Sequence, residues 1–173
     1  FEVFWLEGIG DSFYLRWAYR GAYEFCKNKN LCGRLWLIEV DGSIVQLVWD
    51  GWNEGIRSPA LKEGLAQLEA YFIGQLDCFD LPLAPKGTEF QQQVYAAMLA
   101  IPYGQTRTYG EISNELNGSA QPVGQACASN PIPVIIPCHR VVGADGLGGF
   151  SGVGGVEMKV KLLQGEGAYS LLL

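Results

Sequence analysis

Hydrophobic residues in the first half of this chain alternate at the spacing of strands and then change to the spacing of a helix. Two apolar runs, residues 35–40 and 44–49, surround Asp41-Gly42, a dipeptide typical of a type I′ turn, and they predict a β-hairpin. After Ser58-Pro59, large apolar residues recur every three or four positions. We therefore expect a helix that begins at Ser58 and ends near Gly74.

Short helices dominate the pattern after residue 87. Thr88 with Gln91 forms a capping-box signature at the start of an apolar stripe, and Thr108 with Glu111 forms a second. A further helical segment is expected over residues 119–129. Two short helices joined by a tight turn containing glycine are typical of a helix-turn-helix, whose second helix can enter a DNA groove.

The segment 130–149 carries the candidate chemistry. A short apolar run, residues 134–136, lies between two prolines and predicts a buried strand or extended segment. Cys138 and His139 follow it, and His139 is the only histidine of the chain. Neighbouring side chains do not face each other on a strand or a helix. We therefore expect a catalytic His139 to act through a turn, a water or a third residue.

A glycine-rich loop and a closing helix complete the second half. Residues 143–155 contain seven glycines, which let backbone approach a ligand closely, and no phosphate-loop lysine pattern follows them. Residues 156–164 predict a helix, and Glu166 lies just beyond its end.

Composition and charge narrow the function classes. The chain has 173 residues, 49% of them apolar, and a net charge of −6. This acidity argues against broad nucleic-acid affinity, although a small local footprint can still work. The first residues lack a basic stretch and a long apolar core, so we expect neither a signal peptide nor a membrane span.

The five cysteines are an odd number, which favours reduced thiols. Cys26 and Cys32 bracket a short loop, so a disulfide between them stays open. A zinc site built on cysteine and histidine is not favoured, because His139 is the only histidine.

Three motifs, taken together, resemble the O6-alkylguanine-DNA alkyltransferases, which are methylated-DNA:protein-cysteine methyltransferases. They are F-Q-Q-Q-V-Y-A-A-M-L-A-I-P-Y-G-Q-T-R-T-Y-G-E-I, N-P-I-P-V-I-I-P-C-H-R-V-V-G-A-D-G and K-L-L-Q-G-E-G. The likeness covers roughly residues 58–167. It implies an α/β protein with a strand-rich N-terminal domain over residues 1–80, built on a ribonuclease-H-like sheet with helices. A linker over residues 81–87 and a mainly helical winged helix-turn-helix domain over residues 88–173 would follow.

The resemblance also implies an activity, direct-reversal DNA repair. Cys138 would take an alkyl (methyl) group irreversibly from O6 of guanine in DNA, in a single turnover. His139 would draw the thiol proton through a water, and Glu166 would orient and charge the histidine. The implied partner is double-stranded DNA containing O6-alkylguanine, with no cofactor, no metal and no membrane. The chain would act as a monomer in the cytoplasm, or in the nucleus of a eukaryote.

Further site residues follow from their positions in the same motifs. Tyr109 would crowd the target phosphate and donate to the base, and Asn130 would fix the turn before the cysteine. Residues that would read or enclose the flipped guanine are Pro133, Val141, Phe150, Ser151 and Lys159. Residues that would contact DNA are Gln121, Gly124 and Arg140, with an inward salt bridge as the alternative for Arg140.

Physical chemistry independently favours this arrangement. A free thiol with a pKa near ~8.5 is mostly protonated at neutral pH, so a histidine with a carboxylate is the expected activator. Guanine O6 lies inside the duplex stack, so its alkyl group can reach a buried thiolate only when the nucleotide is extruded.

Two departures from the family pattern bear on base delivery. Gln121 occupies the place where family members usually carry an arginine that fills the gap left by the flipped base. A glutamine can fill and hydrogen-bond the gap but brings no charge. The loop around Phe150 is also two residues longer than usual, which predicts a larger or looser pocket.

Three other functions remain as alternatives. A relative that binds lesions without transfer would lack the acceptor cysteine, and Cys138 is present. A cysteine hydrolase would need an oxyanion hole and multiple turnovers. A winged-helix repressor would bind unmodified DNA with sequence specificity.

Overall fold

The computed structural model describes residues 14–18, 22–26, 32–49 and 58–168, with side chains from residue 35 onward. The first four elements are strands: β1 (Tyr14–Ala18), β2 (Ala22–Cys26), β3 (Cys32–Val40) and β4 (Ser43–Trp49). They form one antiparallel sheet in the order β1-β2-β3-β4. The sequence also predicts that the aromatic residues among the first thirty pack in a core. Their side chains lie outside the described ones, so this stays a prediction.

The predicted hairpin is confirmed between β3 and β4. Asp41 and Gly42 have φ angles of 51° and 81°, the left-handed pair that a type I′ turn requires. On the other side of β3, Cys26 and Cys32 are directly opposed in the register of β2 and β3. Their side chains lie outside the described ones, so the possible disulfide stays a prediction.

Helix α1 (Pro59–Phe72) packs on this sheet, and its predicted start is confirmed. The Ser58 hydroxyl accepts the amide of Leu61 at 3.1 Å, with proline at the first helical position. A Cβ at Gly64 would lie 2.6 Å from the Leu37 side chain, so glycine allows the close approach of helix and strand. The helix ends at Ile73, followed by Gly74 at φ 72°.

The segment between the two halves runs extended beside β4. Ile44 donates its amide to Pro82 O at 2.7 Å, and Ala84 donates to Ile44 O at 2.9 Å. The amide of Leu47 in turn donates to Pro131 O at 2.8 Å. These bonds pair the open edge of the sheet with the second half of the chain, as an edge strand requires for protection.

The second half begins with α2 (Glu89–Leu99), β5 (Arg107–Thr108), α3 (Tyr109–Glu115) and α4 (Ala120–Ala128). Both predicted capping boxes are confirmed. Thr88 and Gln91 exchange two hydrogen bonds at the start of α2, and Thr108 and Glu111 do the same for α3. Asn117, at φ 51°, makes the tight turn between α3 and α4.

The apolar run before Cys138 is buried as predicted, but it is not a regular strand. Val134 has a φ of 75°, a left-handed conformation that β-branched residues rarely adopt. The amide of Ile136 donates to Ile132 O at 2.9 Å and closes a turn. The extended reading was wrong because Asn130 and this turn fold the segment back on itself.

A short 3-10 turn, Cys138–Arg140, follows and leads into β6 (Val141–Val142), which pairs in parallel with β5. Helix α5 (Gly155–Gly165) closes the fold, with Glu166 as its C-cap residue. Within the described ranges, no helix combines the length and apolar character needed to cross a bilayer.

Candidate active site

Asn130 organises the turn that presents Cys138. Its buried side-chain amide donates to Ile136 O at 2.8 Å, and its oxygen accepts the amide of Ile132 at 3.0 Å. The amide of Cys138 then donates to Ile136 O at 2.8 Å. One side chain thus ties together both ends of the turn that precedes the thiol.

The Cys138 thiol is buried, with 4% of the residue exposed. Burial raises its pKa above 9.0, while a hydrogen bond to Asn130 and the positive charge of Lys159 oppose that rise. The thiol is therefore mainly neutral at physiological pH and requires a base to become a nucleophile.

His139 and Glu166 meet in the interior of the protein. The His139 Nε2 atom lies 2.8 Å from Glu166 Oε1, and both side chains are buried. Burial lowers the His139 pKa below 6.5, against the opposing effect of Glu166, so the ring is neutral near pH 7. The other ring nitrogen, Nδ1, has no hydrogen-bond partner among the residues that the structure describes. A neutral ring that donates from Nε2 keeps its lone pair on Nδ1, which can act as a base.

The Glu166 carboxylate remains ionised despite its burial. Burial alone would raise its pKa, but hydrogen bonds from His139 and Arg140 outweigh that effect and hold the pKa at about 2. The amide of Gly104 adds a donor to Oε2 at 3.3 Å.

Arg140 points inward. Its Nε donates to Glu166 Oε2 at 2.9 Å, and its Nη1 donates to Ile101 O at 2.7 Å. With 6% of the residue exposed, the guanidinium has no free face for DNA. Two roles were predicted for Arg140, a contact with DNA and an inward salt bridge. The structure shows the inward salt bridge, and a contact with a DNA phosphate does not fit this position.

Tyr71 belongs to the same cluster, and sequence reasoning missed it. Its hydroxyl donates to Glu166 Oε1 at 2.6 Å and lies 3.4 Å from His139 Nε2. Tyr71 comes from α1, distant in sequence from the reactive segment. The helical pattern offered no signal for it, since a tyrosine beside the apolar stripe is typical of core packing.

Tyr109 lies at the first position of α3, half-buried beside the glycine-rich loop. Burial raises its pKa to about 12, so its phenol is a neutral donor. A Cβ added at Gly148, which has a φ of 68°, would lie 2.9 Å from the Tyr109 hydroxyl. Gly124 of α4 lies on another side, where a Cβ would be 4.0 Å from the ring. Glycines at both positions let backbone approach this tyrosine.

Lys159 connects β6, just before the glycine-rich loop, to the middle of that loop. Its buried ammonium donates to Val141 O at 2.6 Å and to Gly149 O at 3.0 Å. Burial lowers its pKa to about 8. The predicted roles of Val141 and Lys159 at the substrate stay predictions, but both residues hold the loop that follows Cys138.

The remaining predicted residues surround this centre at different depths. Pro133 is buried, Phe150 is half-buried against the core, and Ser151 is exposed. Gln121 is exposed in the first turn of α4. Their predicted contacts involve DNA or the extruded base, so they stay predictions.

A separate cavity of about 300 Å³ lies at the Glu166 end of the cluster. The residues that line it include Tyr71, Tyr103 and Leu162, and Cys138 is not one of them. This cavity is therefore distinct from the space around the thiol.

Two family models match the chain. Residues 23–85 match the ribonuclease-like domain of 6-O-methylguanine DNA methyltransferase, and residues 89–168 match the DNA binding domain of the same family. The junction between the two matches falls within the extended segment beside β4.

Individual relatives agree with these models. The chain is 48% identical over 122 residues to a methylated-DNA–protein-cysteine methyltransferase of Methanosarcina acetivorans, a match that covers 69% of this chain and 76% of the relative. Among solved structures, an O6-methylguanine methyltransferase of Mycobacterium tuberculosis shares 39% identity at a TM-score of 0.69, covering 79% of this chain and 88% of that one. The M. tuberculosis OGT in complex with DNA matches at 38% identity and a TM-score of 0.68, with the same coverage.

Proposed function

Because the chain belongs to the 6-O-methylguanine DNA methyltransferase family, we propose that it repairs DNA by moving an alkyl group from O6 of guanine to its own Cys138. The family carries out direct-reversal DNA repair by transfer from methylated DNA to a protein cysteine, and this chain shares that activity. The observation that carries the assignment to Cys138 is a buried thiol followed directly by His139. Glu166 fixes the Nε2 atom of His139, and no group in the described part of the chain bonds to its Nδ1 atom.

The chemistry follows from these groups. His139 Nδ1 accepts the thiol proton through a water, and the resulting thiolate attacks the alkyl carbon in line with the C–O6 bond. The new S–C bond forms as the bond between the alkyl carbon and O6 breaks. The electron pair of the broken bond remains on the guanine. Overall, the thiol proton passes to the guanine and the alkyl group to sulfur. The thioether has no leaving route, so each chain reacts once and needs no cofactor.

Base delivery is assigned to the two short helices. In this proposal α4 enters the DNA groove, and Gln121 occupies the gap left by the extruded nucleotide. The neutral Tyr109 phenol donates to the base, which supports departure of guanine from the alkyl group. Pro133, Val141, Phe150 and Ser151 enclose the base.

The DNA-binding domain match supports DNA as the partner. We further propose that the substrate is double-stranded DNA containing O6-alkylguanine and that the protein acts as a monomer. We also propose that it acts in the cytoplasm, or in the nucleus of a eukaryote. A monomer is sufficient, because every group in the mechanism comes from one chain.

Replacement of single thiols tests the assignment. Cys138→Ala should remove alkyl uptake from a duplex containing O6-methylguanine, whereas Cys127→Ala should retain it. Cys127 is the matched control because it is also buried, and burial raises its pKa to about 12. Alkyl uptake by the Cys138→Ala variant, located by peptide mass, would refute the assignment.

A further inference from the structure

The N-terminal half contributes one polar group to the buried cluster. The Tyr71 hydroxyl donates to Glu166 Oε1 at 2.6 Å and lies 3.4 Å from His139 Nε2. Its ring packs against Phe79 and Tyr103, with centroids 5.2 and 6.2 Å away, so the hydroxyl is held in place. Tyr71 is 5% exposed, and this contact joins α1 to the C-cap of α5.

Glu166 Oε1 is shared between several donors. His139 Nε2 lies 2.8 Å from it and Arg140 Nη2 lies 3.0 Å from it, in addition to the Tyr71 hydroxyl. Each donor withdraws negative charge from the oxygen. A carboxylate that faced His139 alone would favour the imidazolium strongly, since an opposite charge in contact typically raises a histidine pKa.

Three charged groups near His139 also affect its pKa. Glu166 raises its pKa, whereas Arg140 from its own turn and Lys159 from α5 lower it. Tyr71 from α1 completes the set and carries no charge, because burial raises its own pKa well above 10.0. The hydroxyl thus acts on the charge of His139 through the carboxylate, and its own 3.4 Å contact with Nε2 helps to position the ring.

We propose that Tyr71 is a positioning residue of the alkyl-transfer site, whose hydroxyl shares Glu166 with His139 and so keeps the imidazole neutral with Nδ1 free to accept the thiol proton. This inference rests on the proposed function of Cys138. The strand-rich half then contributes to the reaction, because Tyr71 of α1 keeps His139 in the protonation state that can accept a proton.

His139 offers a direct readout because it is the only histidine of the chain. Imidazole nitrogen NMR therefore reports its titration without interference from other rings. In Tyr71→Phe, Glu166 loses a donor and attracts the imidazolium more strongly. We expect the His139 pKa to rise by about one pH unit. The acid limb of the single-turnover transfer rate should move to higher pH by the same amount, with little change at pH 8.

An isosteric replacement covers the case in which Tyr71→Phe does not fold. A difluorotyrosine at position 71 is a more acidic phenol and donates a stronger hydrogen bond to Glu166. It should shift the His139 titration in the opposite direction, to lower pH. Opposite shifts for the two replacements cannot result from loosened packing alone.

Two further variants isolate the route through Glu166. Tyr103→Phe removes a hydroxyl from the neighbouring ring, whose own bond is to Gly165 O at 3.1 Å, and should leave the pH profile unchanged. In a Glu166→Gln background, Tyr71→Phe should cause no further shift of the His139 titration.

The outcomes separate this inference from the proposed function. If the wild-type chain takes up no alkyl group from methylated duplex, the proposed function fails. If the wild type reacts but Tyr71→Phe keeps both the wild-type His139 titration and the wild-type acid limb, the role of Tyr71 is overturned. An equal shift in Tyr103→Phe would also overturn it.

Discussion

At Cys138, burial and local polar groups have opposite effects on the thiol. Burial raises its pKa, whereas Asn130, Lys159 and backbone amides lower it. Cys127 nearby lacks the Asn130 bond, and burial raises its pKa to about 12. Lys159 and a backbone hydrogen bond lower the pKa of Cys127 too, so the bond to Asn130 and the adjacent His139 are what distinguish Cys138.

Asn130→Ala should destabilise the fold strongly for its size. The change leaves a buried carbonyl at Ile136 and a buried amide at Ile132 without their partners, at about 1–3 kcal/mol each. We expect a loss of roughly 2–5 kcal/mol in the free energy of unfolding in urea. Asn114→Ala, at an exposed position of α3, is the control and should change stability by under about 0.5 kcal/mol. Equal effects of the two changes would contradict the role of Asn130.

Single residues of the site were predicted unequally well. Cys138, His139 and Glu166 stand in specific motifs, and the prediction that His139 needs a third residue fits its contact with Glu166. Tyr71 was not predicted, because its role depends on a contact between residues that are 95 positions apart. No local pattern encodes such a contact.

Helix α3 begins with a capping box, whereas the N-cap residue of α4, Ser119, makes no side-chain capping bond and α4 carries no charged residue. A helix without charged residues gains little binding free energy from attraction to DNA phosphates. Its binding in a DNA groove must therefore depend on shape and on hydrogen bonds. Gln121 and the neighbouring Pro122 both depart from the family pattern expected for this helix, and position 121 is the one where a charge would be lost.

Gln121→Arg should strengthen DNA binding. One added cation near a phosphate should make the salt dependence of the binding constant steeper by about one counterion. Binding to an unmodified duplex, measured by fluorescence anisotropy at several salt concentrations, gives this slope. Gln93→Arg adds the same charge at an exposed position of α2 and should change the slope less. Equal slopes for the two variants would show that position 121 does not approach DNA.

Elements with explicit end signals were predicted closely. The serine and threonine caps gave the starts of α1, α2 and α3, and Asp41-Gly42 gave the hairpin turn. The apolar, β-branched residues before Cys138 resemble a strand and predict an extended segment, which the structure does not contain. The left-handed Val134 has a steric cost of roughly 1–2 kcal/mol, which the surrounding bonds must offset. The backbone preference of valine cannot predict this conformation, because contacts with distant parts of the chain impose it.

Across the whole molecule, Glu166 joins the two halves. Its carboxylate accepts a hydrogen bond from Tyr71 of the strand-rich half. From the helical half it accepts hydrogen bonds from Arg140, His139 and Gly104. The division into domains at residues 81–87 stays a prediction, since this segment also bonds to β4. The two halves therefore share a buried ionic cluster as well as a covalent link.

Acid should weaken this connection in a defined window. The folded pKa of Glu166, about 2, lies below its ordinary value of 4.5. Between these values the unfolded chain binds a proton that the folded chain does not. Stability from this group is thus present above pH 4.5 and is lost as pH falls toward 2. The fall in pKa corresponds to roughly 3 kcal/mol.

Urea unfolding at a series of pH values measures this loss. In Glu166→Gln the decline below pH 4.5 should be smaller by about that amount, although the variant is less stable at pH 7 because Arg140 loses its counter-charge. Glu115→Gln breaks a partly exposed pair with Arg107 and should keep the wild-type decline. A wild-type decline in Glu166→Gln would contradict the account of the cluster.

The stoichiometry of alkyl transfer tests the central claim most directly. Wild-type protein is incubated with an excess of duplex containing O6-methylguanine, and its intact mass is followed until the reaction stops. We expect a gain of one methyl group per chain, located on Cys138, and one repaired guanine for each chain consumed. No gain in mass, or repair of several guanines by each chain, would contradict it.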